Sequence, residues 1–174
     1  MLNTEAVPRF EALYSGPGYC GALVGRLAVI VGRDRPDPPL AEHGYQWTKR
    51  LSEEYPDGCG FMIVLRSEAP PPNDETRTRV SGFFEGCAKN AMAGAVVIEG
   101  NGFVAASIRG FFGVYSLAAY RFRLKVYGSV EEAAPAMMKR LGRADPREAT
   151  DLLAGINGLK AAYADGTLRV KPER

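Results

Sequence analysis

The sequence predicts an α/β fold, with helices packed on a mostly parallel sheet. Short β-branched runs alternate along the chain with longer segments of helical length and spacing. The run Ala95–Ile98 is β-branched and continuous, as strands covered on both faces are, while four helices after the opening hairpin leave one sheet face expected to be less covered. The stretch Ala91–Ser129 contains one whole β-α-β unit: the run Ala95–Ile98, a Gly100-Asn101-Gly102 break, the long apolar segment Phe103–Tyr120, and a second strand from Leu124 to Tyr127. Two parallel strands require a crossover of this length.

The remaining elements follow in order. Arg9–Ser15 reads as an edge strand, and Gly16-Pro17-Gly18 breaks it. Tyr19–Val31 is apolar and β-rich, so the chain opens with a β-hairpin or two short strands. The loop GRDRPDPP leads into a helix from about Leu40 to Tyr55, ended by Pro56-Asp57-Gly58. Gly60–Leu65 is a central strand. RSEAPPP after it is neither helix nor interior strand. Asn73 or Asp74 then caps a helix running to about Ala88, with Val80, Phe83, Phe84 and Cys87 on its inner stripe. Val130–Leu141 is a further helix, with Ser129 and Glu132 as a capping box. Asp145-Pro146 starts a C-terminal helix that carries Leu152, Leu153, Ile156, Leu159 and Tyr163 on one side. Thr167–Val170 is expected to add a small strand.

Size and composition narrow the function. The 174 residues suit a single domain, and 46% apolar with 24% charged residues is the balance of a soluble globular chain. Twenty-two basic against 20 acidic residues leave no basic footprint for nucleic acid. Cys20, Cys59 and Cys87 are odd in number and widely spaced, which reads as free buried thiols in a reducing compartment. The N-terminus lacks the pattern of a signal peptide, and Phe103–Tyr120, interrupted by Arg109, Gly110 and Gly113, reads as a buried helix and not a membrane span. The expected location is the cytoplasm.

No residue set spells out a reaction. His43 is the single histidine and is expected on a solvated helix face, which leaves no His-based metal or nucleophile site. Glu53-Glu54 and Glu131-Glu132 are explained by helix surface and cap chemistry. Gly100 and Gly102 precede a helix without the motif of a phosphate loop. No cofactor is expected. The unusual feature is Phe103–Tyr120, which has one charge in 18 residues where a helix covering one side of a sheet should have a polar face. Either the C-terminal helix covers the excess, or the helix is an interaction surface. The latter would use Phe112 and Tyr115 as anchors and Arg109 toward a carboxylate, with Leu152 and Ile156 of the C-terminal helix beside them.

The segments GFMIVLRSEA and VVIEGNGFVAASIRGFFG, leading to KVYGSVEEA, and the order ββαβαβαβα make residues 9–142 resemble the STAS domains, the SpoIIAA-like anti-sigma-factor antagonists. The resemblance leaves residues 1–8 as a flexible lead and residues 143–174 as a C-terminal helical extension. It implies a non-enzymatic bacterial signalling or scaffold domain that binds a protein partner or itself as a homodimer. The SpoIIAA-like fold is shared with SEC14-type carriers, which implies as an alternative a module for a lipid or small apolar ligand. STAS domains often carry a phospho-acceptor at the start of the second helix, within an Asp-Ser pair followed by a small residue and Gly. Here the stretch is RSEAPPPNDETRTR, so that motif is missing, and Ser67, Thr76 and Arg77 are the residues left as phospho-acceptor or anion site.

Overall fold

A computed structural model describes residues 9–116 and 122–172. The chain forms β1 (Glu11–Ser15), β2 (Tyr19–Val24), β3 (Leu27–Gly32), α1 (Leu40–Glu54), β4 (Gly60–Leu65), α2 (Asp74–Ala88), β5 (Ala93–Ile98), α3 (Phe103–Ser116), β6 (Leu124–Tyr127), α4 (Val130–Arg140) and α5 (Pro146–Asp165). The six strands make one sheet in sequence order. β1, β2 and β3 pair antiparallel, and β3 through β6 pair parallel. From β2 to α4 the order is ββαβαβαβα, with β1 added at one edge and α5 at the end.

The opening of the chain holds one strand more than a single hairpin. The apolar stretch from Tyr19 divides at Gly25-Arg26, where Gly25 takes a positive φ of 53° and Val24 pairs with Leu27. Thr167–Val170 forms no strand. Its neighbour Lys171 instead donates one backbone hydrogen bond to Ala12 O at 3.1 Å along β1. The expected helix over Phe103–Tyr120 is seen as far as Ser116, and residues 117–120 lie outside the described part. The N-caps form at the expected residues: Asn73 Oδ1 accepts from Thr76 N–H, Ser129 Oγ from Glu132 N–H, and Asp145 Oδ1 from Arg147 N–H, while Glu132 reaches back to Gly128 N–H at 3.4 Å in place of the Ser129 N–H of a capping box.

Both faces of the sheet are covered, which is why the central strands are apolar throughout. On one face Ile30, Phe61, Ile63 and Val96 pack with Phe83, Phe84, Phe112 and Phe122 beneath α1, α2 and α3. On the other, Val29, Val31, Met62, Ala95 and Val97 pack with Met137, Ile156 and Leu159 from α4 and α5. The C-terminal helix therefore lies across the sheet from α3 and does not cover it.

Candidate interaction surface

α3 begins from a turn in which Gly100 and Gly102 both hold positive φ, 94° and 98°, conformations that L side chains rarely adopt. Arg109 turns back on this turn, its guanidinium donating to Gly100 O at 3.2 Å and Ile98 O at 3.5 Å. The one charge of the helix is thus spent on backbone carbonyls. The inward side packs on the aromatic core. Ile108 and Phe112 are buried, and the Phe112 ring lies 6.2 Å from that of Phe84. Half-buried Tyr115 stacks edge-on against Phe84 at 5.0 Å and donates its hydroxyl to Arg77 O at 3.4 Å.

The outward side is apolar. Phe103 is 87% exposed and Val114 70%, with Val104, Ala106, Ser107 and Gly110 also exposed. At about 100° per residue, Phe103, Ala106, Ser107, Gly110 and Val114 share an arc of about 100°. A Cβ placed on Gly110 or Gly113 would meet nothing within 4 Å. Other outward helix faces carry ordinary charge, such as Lys49, Arg50 and Glu53 on α1 or Glu131, Glu132 and Lys139 on α4.

This arrangement corrects the expected contact surface. Phe112, Leu152 and Ile156 are 3%, 4% and 0% exposed, and the latter two sit across the sheet from α3, so the set cannot form one surface. Tyr115 is tied to α2, and Arg109 to the turn before its own helix. The exposed side is the other one, led by Phe103 and Val114. Its sequence signal was the two glycines, Gly110 and Gly113, which have no side chain to contribute to a core.

Ser67, Thr76 and Arg77 do not converge. The Ser67 hydroxyl donates to Glu68 at 3.0 Å in an exposed loop, and the Thr76 hydroxyl to the Asn73 cap at 2.9 Å. The Arg77 guanidinium lies over the Phe111 ring at 5.5 Å and 3.9 Å from Asp74. His43 is not on a solvated face. It is half-buried, stacked on Trp47 with ring centroids 4.4 Å apart, and its Nδ1 is 2.7 Å from the Tyr19 hydroxyl. Asp37 completes this cluster by accepting from the Tyr14 hydroxyl at 3.1 Å and Gly18 N–H at 3.2 Å. Burial and then Asp37 raise the pKa of Tyr14, and burial first raises that of Tyr19, so both phenols stay protonated. The three thiols are buried, with Cys20 pushed up to about 12 and Cys59 to about 11 by desolvation. Among the described residues, no group of His, Cys, Asp or Glu is arranged to hold a metal ion, and no helix is long and apolar enough to cross a membrane.

Fold and surface together define a class: an α/β protein with, among the described residues, a six-stranded mixed sheet, three helices on one face and two on the other, and an apolar outward side on α3. Compared with models of protein families, with curated proteins and with solved structures, the chain matches none.

Proposed function

We propose that the chain is a non-catalytic interaction module that pairs with a second copy of itself through the outward side of α3. The observation that carries this reading is the exposure of Phe103 and Val114 on a helix whose outward arc bears no charge. An uncharged face offers nothing to select a charged partner, and it suits an isologous contact in which one patch meets its own copy. The pattern is self-complementary. In an antiparallel twofold pair, setting Ala106 against Gly110 of the second copy brings Phe103 against Gly113, where the absence of a Cβ leaves room for the ring. The likeness to STAS domains, which act by binding proteins, supports the same reading through the order ββαβαβαβα.

Sedimentation equilibrium of the whole chain tests it. A concentration-dependent dimer is expected, and Phe103→Ala should weaken it by about 2 kcal/mol, about thirtyfold in Kd. A chain that stays monomeric at every concentration, or a dimer indifferent to Phe103→Ala and to Val114→Glu, overturns the proposal.

A further inference from the structure

α3 and β1 lie at opposite ends of the sheet. α3 packs over β5 and β6, whereas β1 forms the far rim and pairs with β2 alone. A rim strand presents backbone donors and acceptors that a further strand can use. The C-terminal tail takes up part of that row. Lys171 N–H donates to Ala12 O at 3.1 Å, so the Ala12 carbonyl points away from β2. In an antiparallel pair the N–H and C=O of one residue point to the same side, so the Ala12 N–H points outward too.

The tail is fixed at its root and lightly held at its tip. After α5 the chain reverses at Gly166, with φ 73°, and the N–H groups of Thr167 and Leu168 both donate to Ala162 O. The Leu168 side chain packs on the core beneath α4 and α5. Residues 169–172 are exposed. Among the described residues, their polar ties to β1 are the one backbone bond and a 3.6 Å ion pair between Lys171 and Glu11. Glu11 has Arg50 as a second partner, so it does not depend on the tail. A surface hydrogen bond with an exposed ion pair favours a closed state over an open one by about tenfold.

We propose that this tail is a strap that closes the β1 edge against β1 of a second copy. The strand suits its own copy. With Ala12 set against Ala12 in an antiparallel twofold pair, each residue exchanges both backbone bonds with the other. Ala12 alone then faces itself, so Glu11 does not meet Glu11 directly. An open β1 edge together with the α3 pairing would give each chain two twofold contacts at opposite ends of its sheet, and pairs would join to pairs. The strap holds the assembly at the α3 pair; this limit rests on the self-pairing proposed above, whereas the closing of β1 does not.

Lys171→Pro in the whole chain tests it, because it removes the N–H that holds the tip and changes only an exposed residue. Sedimentation equilibrium should show species larger than a dimer. Combined with Phe103→Ala, which weakens the α3 contact, Lys171→Pro should give dimers, with Kd lowered by up to about a hundredfold, about tenfold for each of the two edges that open. Hydrogen exchange at the Ala12 amide should slow in these species. Lys171→Ala keeps the N–H and should associate as the unaltered chain does. If the α3 contact does not exist, Lys171→Pro alone should stop at a dimer with a protected Ala12 amide, which sinks the self-pairing and supports the strap. The strap is overturned if Lys171→Pro associates no more than the unaltered chain, if Lys171→Ala associates as strongly as Lys171→Pro, or if the Ala12 amide exchanges as fast in the associated species as in the monomer.

Discussion

Gly21 lies in β2 where the Trp47 ring crosses the strand, and a Cβ there would come within 2.1 Å of the indole. Trp47 can stack on His43 only because that position has no side chain. Gly21→Ala should therefore cost about 1–3 kcal/mol in urea denaturation, a typical overpacking penalty. An unchanged midpoint would mean that the ring moves aside freely. The thiols make a second case at this scale. Burial raises the pKa of Cys20, Cys59 and Cys87, and a thiol held protonated is a poor nucleophile. The folded chain is expected to leave all three unreacted toward a disulfide reagent at mildly alkaline pH, and to react at all three in denaturant. Glu11 shows the opposite sign. It takes two hydrogen bonds from the Arg50 guanidinium, at 2.7 and 3.2 Å, which hold its carboxyl below the usual value. A lowered folded pKa stabilises the fold above the unfolded value and loses that contribution as pH falls through the folded one. Both partners are partly exposed, so the effect should stay below about 1 kcal/mol. Arg50→Ala should therefore lower stability at neutral pH by up to that amount, make no difference once Glu11 is protonated in both states, and so flatten the acid-side loss of stability measured by urea denaturation across pH.

At the scale of elements, α3 is the segment whose existence was plain in the sequence and whose orientation was not. Its length, its lack of proline and its place between two strand-like runs specified a crossover helix. A hydrophobic stripe normally tells which side faces the sheet, but here both sides are apolar, and the side with more large residues was expected to serve as the contact surface. The core needed that side for itself. Two substitutions separate the sides by stability alone. Phe112→Ala should cost about 3–5 kcal/mol, whereas Phe103→Ala should stay within about 0.5 kcal/mol. Equal losses would contradict the observed orientation. The third strand of the opening meander was hidden for a related reason, since one Gly-Arg pair is a small mark within a long apolar run. The caps at Asn73, Ser129 and Asp145 were legible because capping chemistry is local. The surroundings of His43 were not, since Tyr14 and Tyr19 reach it from the strands that open the chain.

Across the whole molecule, the last helix completes the core. Leu152, Ile156, Leu159 and Tyr163 of α5 seal the side of β2 and β3 that α4 does not reach. Lys160 pairs with Glu99 after β5, the Arg33 guanidinium lies 4.4 Å from the Tyr163 ring centroid, and the Tyr163 hydroxyl donates to Gly16 O at 2.8 Å. A chain ended after Arg143 would expose Cys20, Ala22, Val24 and Val29 together, and it should lose cooperative unfolding and bind a hydrophobic dye.

The two margins of the sheet are guarded differently. β1 has the C-terminal tail beside it through the Lys171 hydrogen bond to Ala12, and β6 runs only from Leu124 to Tyr127, with exposed Lys125 in its middle. A short border bearing a lysine is a poor template for adding foreign strands. Open-ended stacking into fibrils is therefore disfavoured at both rims.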